Sequence, residues 1–425
     1  DYSSGVQRYD NSAFGTANHY YGWSGYDLKH KYNLQFSAYA QYYKDFSETQ
    51  HFDIMAGYEW QHFYNDYYNI GNGFYRDTNN DPEKRGTKYP ESESSSKTES
   101  YIVSFFGRAN YIGWNQLMLT ATVRADGSSR FAPEHRWGIF PSVALGWKIK
   151  ETFLQDVNEI NDLKLRLGYG ITGQQETGLG DYPYMATYTI SQDHAYYPIG
   201  GEENMLLDKE GNPVKDSNGN QLYTTYRPNA FNRYLTWEKT TTYNAGIDFG
   251  FLNNRVSGSI DYYFRQTDDL LNTIPVAVGT NFRNKVISNV GSLNNQGVEF
   301  AINAVAIDKK NFKWDLGFNI TYNENKITKL NTGEDQTPIP VGGISCGTGN
   351  TIQRHAVGYP AYSFYVYEAA EGTHENGEKY WYVVDRNEDG EISEADQYYY
   401  KSRNAPITMG FQTKFQFYGF DLGIS

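Results

Sequence analysis

The sequence predicts an all-β fold, the wall of a transmembrane antiparallel β-barrel. Three features carry that prediction. Long stretches alternate large apolar residues with polar or small ones. The connections between them alternate short and long. No apolar run approaches the roughly 18 residues that a membrane-crossing helix needs.

Phe312 to Tyr322 sets the pattern. Phe312, Trp314, Leu316, Phe318, Ile320 and Tyr322 alternate with Lys313, Asp315, Gly317, Asn319 and Thr321. Successive side chains of a strand point to opposite faces, so one face is apolar and the other wet. A barrel with a lipid side and a polar lumen has this signature. Trp314 and Phe318 are expected toward lipid, and Lys313, Asp315 and Asn319 toward the lumen.

The elements follow in order. Residues 1–30 read as the tail of a loop. Strands are expected at 31–44 and 51–64. A polar loop at 67–98 leads to a hairpin of 101–112 and 116–126 around Gly113-Trp114-Asn115. The loop 127–136 precedes a strand at 137–149. A compact connection with one helical turn fills 150–162, before a strand at 163–172. After a long loop, 173–234, come 235–249, a tight turn at Leu252-Asn253-Asn254, and 255–270. The loop 271–296 precedes 297–307 and 312–322. The loop 328–403 precedes 405–417, and Gly419-Phe420 opens one more strand. That makes eleven strands and the start of a twelfth in one partial barrel domain over 1–425. Bacterial outer-membrane barrels have short periplasmic turns and long extracellular loops. On that basis 67–98, 127–136, 173–234, 271–296 and 328–403 face outside.

Composition sets limits. Mean hydropathy is −0.70, which barrel strands tolerate because only half their residues meet lipid. The net charge of −13 excludes nucleic acid as a partner class. The single cysteine, Cys346, excludes an internal disulfide framework. The chain opens at Asp1-Tyr2-Ser3 without a signal peptide and stops at Gly423-Ile424-Ser425 in mid-strand. It therefore reads as a piece of a longer protein.

Several ordered blocks resemble the SusC/RagA-type TonB-dependent transporters of Bacteroidetes. They are Phe106-Gly107-Arg108-Ala109-Asn110-Tyr111, Leu119 to Phe131, Trp137 to Trp147, Leu163 to Gly170 with Thr172-Gly173-Gln174, Leu235 to Lys239, and Asn289 to Glu299. The resemblance implies a 22-stranded outer-membrane barrel of which this chain is a later part. The N-terminal plug, the TonB box and the last strands would lie outside it. It further implies outer-membrane lipid and lipopolysaccharide around the wall, TonB acting through the missing N-terminal region, and a SusD-like surface lipoprotein as a lid. The ligands implied are chiefly oligosaccharides, with peptides of the RagA type as the alternative. A passive porin or adhesin barrel and a soluble carbohydrate-binding β protein or surface enzyme remain the other readings.

Asp385 to Asp396 is the sharpest local motif. Asp385, Asn387, Asp389, Ser393 and Asp396 place oxygens at positions 1, 3, 5, 9 and 12. Gly390 stands at position 6, and Glu391 at position 7 would offer its carbonyl. That is the spacing of an EF-hand calcium loop, with Asp in place of the usual Glu at position 12. Calcium is the expected cofactor, with loop rigidity as its role.

No enzyme is predicted. Gly343-Ile344-Ser345-Cys346-Gly347 matches the G-x-S-x-G elbow of hydrolases, but it sits among Pro338, Pro340 and glycines rather than between a strand and a helix. Aromatic residues of the long loops are the expected ligand contacts. They are Tyr67, Tyr68, Phe74 and Tyr75 in one loop, and Tyr182, Tyr184, Tyr188, Tyr196, Tyr197, Tyr223 and Tyr226 in another. Flat rings with hydroxyls cover sugar faces at low entropic cost.

Overall fold

A computed structural model describes residues 2–9, 20–76, 85–175, 181–195, 204–207, 211–216, 218–275, 285–330, 336–343 and 351–425. The strands in chain order are β1 Tyr2–Tyr9, β2 Tyr20–Ser47, β3 Gln50–Arg76, β4 Arg85–Gly113, β5 Leu117–Ser128 and β6 Trp137–Lys148. A one-turn helix, α1 Ile149–Phe153, precedes β7 Ile160–Gln174, β8 Tyr188–Ala195, β9 Tyr223–Pro228, β10 Glu238–Phe251 and β11 Val256–Pro275. Then come β12 Lys285–Lys309, β13 Phe312–Lys329, β14 Ile339–Gly343, β15 Thr351–His355, β16 Ser363–Val366 and β17 Ala369–Thr373. β18 Lys379–Val383, β19 Tyr398–Ser402, β20 Ile407–Phe417 and β21 Phe420–Ile424 complete the chain.

Among the described residues, thirteen strands form one antiparallel sheet in the order β1-β2-β3-β4-β5-β6-β7-β10-β11-β12-β13-β20-β21. Each strand pairs with its neighbour in sequence, apart from the small sheets carried by the loops. The short connections use left-handed backbone. Trp114 and Asn115 (φ 54° and 56°) join β4 to β5, and Tyr418 and Gly419 (φ 46° and 90°) join β20 to β21. Leu252, Asn253 and Asn254 all have positive φ between β10 and β11. Such residues match the twist of a hairpin.

Three expectations are corrected. Residues 1–30 are not loop: β1 and the first part of β2 occupy much of them. The segment 67–98 is largely strand, since β3 runs to Arg76 and β4 starts at Arg85. β11 and β12 likewise reach into 271–296. In these stretches polar residues and glycines fall at both odd and even positions, so no apolar period marks them. Cross-strand pairing holds them straight. Loop 173–234 carries the β8–β9 hairpin, and 328–403 carries the small sheet β14-β15-β16-β19 and the hairpin β17–β18.

The two faces separate as the alternation requires. Leu34, Phe36, Ile54, Phe105, Ile139, Val143, Ile247 and Phe411 are exposed on the apolar face. Ile139 is 66% exposed, which an aqueous sheet would not leave in a continuous patch of this kind. Aromatic pairs edge this face. At the short-turn end lie Phe46–Phe52, Trp147–Phe153, Phe249–Phe251 and Trp314–Phe415, with ring centroids 6.4, 5.5, 5.5 and 5.5 Å apart. Toward the long-loop end are Tyr58–Phe105 and Phe105–Trp137, at 5.4 and 6.1 Å. From Trp314 to Tyr322 the strand rises roughly 26 Å at about 3.3 Å per residue. Foreshortened by a tilt of roughly 35–45°, that is about 19–22 Å, most of an apolar band of about 25 Å.

The opposite face is polar and cross-linked. Arg124 meets Glu59 at 3.1 Å, Asp126 at 2.7 Å and Ser104 Oγ at 2.8 Å, bridging β3, β4 and β5. Arg166 of β7 reaches Asp248 of β10 at 2.8 Å and Asp261 of β11 at 2.8 Å. Gly246 lies beneath this guanidinium. A Cβ there would collide with Asp261 Oδ1 and the Arg166 guanidinium, so the bridge in this geometry relies on the missing side chain.

A compact core closes the long-loop end. Phe131, Phe140, Leu235 and Trp237 are buried together, with Ile171, Leu271 and Ile287 against them. Trp237 Nε1 donates to the Arg136 carbonyl at 2.9 Å. Asn289 ties three loops: its Nδ2 donates to the carbonyls of Thr236 (2.9 Å) and Asp269 (2.7 Å), and its Oδ1 accepts from Thr236 N–H. Trp237→Ala leaves a cavity expected to cost about 3–5 kcal/mol. Amide exchange across 129–137 and 231–237 should then accelerate while exchange in 31–64 stays unchanged; equal acceleration in both would refute a local role.

Candidate functional site

The loop ends of the strands bring the candidate residues over the polar face. Residues 181–187 cross this region. Asp181 pairs with Arg130 at 3.0 Å, and both side chains are nearly buried. On one side of the crossing segment, Tyr182, Phe231, Leu235 and Ile287 line a cleft of ≈ 360 Å³. On the other, Tyr184, Phe231, Pro133 and Arg233 line a second, also ≈ 360 Å³. Tyr182 and Tyr184 meet edge to face at 6.4 Å. A third cleft of ≈ 440 Å³ lies over β2, β3 and β4, lined by Lys29, Lys31, Asn65 and Thr98 among others.

The structure brings only some of the predicted tyrosines together. Tyr188 and Tyr226 share one face of the β8–β9 hairpin, because Tyr188 pairs with Pro228 and Ile190 with Tyr226. Both rings are exposed. Tyr223 pairs with Ala195 on the same hairpin and is half-buried. Tyr67 and Tyr68 are strand residues of β3, on opposite faces. Tyr75 and Phe74 belong to β3, but their side chains lie outside the described residues, as do Tyr196, Tyr197 and residues 344–347 of the G-x-S-x-G match.

One aromatic group escaped the sequence reading. In the small sheet of 328–403, Arg354 lies 3.9 Å over the Tyr365 ring, and Tyr399 contacts Tyr365 (4.8 Å) and stacks on Tyr359 (4.0 Å). Arg403 covers Tyr362 and Arg386 covers Tyr398, at 4.0 and 4.1 Å. The residues are scattered over 46 positions of sequence, from Arg354 to Tyr399, and only strand pairing assembles them. The recurrence of Tyr in 359–400 was the available signal.

Residues 385–396 fold as a tight loop. Asp385 Oδ2 accepts from Gly390 N–H at 2.7 Å, the contact that joins positions 1 and 6. Glu388 (φ 59°) and Gly390 (φ 86°) supply the sharp bend. Asp389 Oδ1 accepts from Glu391 N–H at 2.8 Å, and Asn387 Nδ2 donates to Asp389 Oδ2 at 2.8 Å. Asp396 is fully buried. Its carboxylate accepts from the N–H groups of Ser393 and Arg386, each 2.8 Å, and of Asn387 at 3.4 Å. It therefore closes the loop as a cap, and the Ser393–Asp396 pair forms a capping box. These N–H groups, Ser393 foremost, hold its carboxyl below the ordinary carboxylate value. Among the described residues no three His, Cys, Asp or Glu side chains converge as a metal cluster. An EF-hand-type set, however, mixes carboxylates with an amide and a carbonyl, and Asp385 Oδ1 is buried without a hydrogen-bond partner.

A two-faced sheet with an apolar belt, aromatic edges, a charged inner face and loops gathered at one end defines the wall of an outer-membrane β-barrel. Residues 1–419 match the family "TonB dependent receptor-like, beta-barrel", and the chain belongs to it. It is 45% identical over 429 aligned residues to "TonB-dependent receptor SusC" of Bacteroides thetaiotaomicron, covering all of this chain and 40% of that protein. It is 31% identical to "TonB-dependent receptor P3" of Formosa agariphila, covering 78% of this chain and 32% of that one. The chain thus spans well under half the length of these relatives. Its fold is like that of "the RagAB peptide importer in the 'open-open' state", with a TM-score of 0.77 and 24% identity, over 99% of this chain and 43% of that one. The apolar face is the lipid face and the polar face the lumen.

Asp396 stabilises the loop only as a carboxylate with a depressed value. Its contribution is therefore complete above the ordinary carboxylate range and is lost as pH falls through the depressed value. Asp396→Asn should speed proteolytic cutting within 384–397 at neutral pH. The wild-type loop should become as sensitive only in strong acid; unchanged cutting in the variant would refute the cap.

Proposed function

We propose that this chain is the later part of the barrel wall of an energy-coupled outer-membrane importer of oligosaccharides. The plug, the TonB contact and the closing strands belong to the longer protein. The observation that carries the reading is the 45% identity to SusC across the whole chain. A SusD-like lipoprotein over the long-loop end fits it, since the clefts and exposed rings of 181–233 and 359–400 open there. The peptide alternative rests on a likeness to RagAB that is one of fold. Chemistry on the ligand is not part of the reading: the site residues bind and position.

Cells lacking the gene, complemented with the full-length protein, should take up labelled oligosaccharide, and a protonophore should abolish uptake. Uptake insensitive to the protonophore would favour a passive porin, and uptake of peptides alone would favour the peptide reading.

We further propose that 385–396 takes a calcium ion. Asp385 Oδ1, Asn387, Asp389 and Ser393 would hold it with the Glu391 carbonyl, while Asp396, already engaged by three N–H groups, braces the loop. A bound Ca²⁺ supplies no chemistry here beyond neutralising the carboxylates and fixing the loop. Calcium should protect 328–403 from protease in the full-length protein, EDTA should reverse this, and Asp385→Ala should abolish it. Indifference to both calcium and EDTA would remove the ion from the description.

A further inference from the structure

The segment 181–187 passes between two clefts without joining a strand of the main sheet. Met185 and Phe231 line both clefts, each of ≈ 360 Å³, so this pair forms the partition between them. Asp181 also lines the cleft of ≈ 440 Å³ over β2, β3 and β4, together with Arg130. Three cavities therefore meet along one short segment.

The two ends of the segment are held differently. At one end Arg130 Nε donates to Asp181 Oδ1 at 3.0 Å, with the two side chains 15% and 9% exposed. At the other end Thr187 is fixed to the base of the β8–β9 hairpin. Its carbonyl accepts from Asn229 N–H at 2.9 Å, and Asn229 Nδ2 donates to its hydroxyl at 3.1 Å. The first tether is an ion pair between side chains. The second runs directly into paired backbone, where Tyr188 faces Pro228.

Between the two ends the backbone is strained. Tyr182 has φ 60°, in the left-handed region that bulky residues avoid. Pro183 follows, and a proline narrows the conformations open to the residue before it. Met185 N–H donates to the Tyr182 carbonyl at 3.1 Å and closes the bend. Such a conformation persists only where the surroundings impose it. The restraint next to Tyr182 is the Arg130–Asp181 pair.

We propose that 181–187 is a strap with a second, open position. The Arg130–Asp181 pair is its catch, and Thr187 with Asn229 is its hinge. When the pair parts, Tyr182 relaxes to negative φ, Met185 leaves Phe231, and the two clefts become one groove. The strap governs access rather than ligand chemistry, so an oligosaccharide and a peptide would meet it alike.

Thiol labelling of the full-length protein tests it. Native cysteines, Cys346 among them, are replaced by serine, and Ala132→Cys supplies the reporter. Ala132 is 2% exposed and lines one cleft with Tyr184, Met185 and Ala186 of the strap. Asp181→Asn should speed maleimide labelling at position 132 by about tenfold or more, the effect of weakening a charge-assisted hydrogen bond. Tyr182→Ala and Tyr182→Gly both remove the ring, but only glycine accepts positive φ freely. The alanine variant should therefore label faster than the glycine variant. Labelling unchanged by Asp181→Asn, or no slower in Tyr182→Gly than in Tyr182→Ala, would overturn the strap. Faster labelling with equal acceleration of amide exchange across 231–237 would also overturn it, as general loosening of the loops.

Discussion

In the hydrocarbon of a membrane, each backbone N–H and C=O must find its partner within the protein, because water is not there to supply one. The main sheet answers that constraint strand by strand. Each strand between β1 and β21 is paired on both sides, and β1 and β21 are its edges among the described residues. Edges of this kind are tolerable in lipid only when another strand covers them. The wall chemistry, and the share of the relatives' length that the chain covers, therefore point the same way: toward a closed barrel of which this is a portion.

Once the backbone is settled, side chains are free to differ by face. Lipid asks only for apolar contact, so the outer face varies among Leu, Ile, Val, Phe and Tyr without specific pairing. The lumen face is specific. Arg124 binds Glu59 of β3 and Asp126 of its own strand, and Arg166 binds Asp248 of β10 and Asp261 of β11; glycines such as Gly246 make room for them. Each such bridge is partly shielded from water, where Coulomb attraction exceeds that of a surface pair. The backbone ladder of β2, β3 and β4 puts Lys31, Asn65 and Thr98 in one row.

The loops obey a different logic. They lie outside lipid and must be held by packing or by side-chain hydrogen bonds. Trp237 and Asn289 do this for 129–136, 231–237, 269–271 and 287–289. Asp396 does it for 385–396 through three backbone N–H groups.

The alternation of Phe312 to Tyr322, the short and long connections and the family blocks made the strand order, the two faces and the barrel class legible from the sequence. A period of two is a local property, and lipid and lumen select its two halves directly. The strand extensions through 1–30 and 67–98 were not legible, since polar residues on both faces leave no period. The calcium-type spacing of 385–396 was legible, but the use of Asp396 as a cap depended on where the chain folded back. The Arg354–Tyr365–Tyr399–Tyr359 stack and the Lys29–Lys31–Asn65 cleft required the tertiary structure, because their residues are distant in sequence and only cross-strand register makes them neighbours.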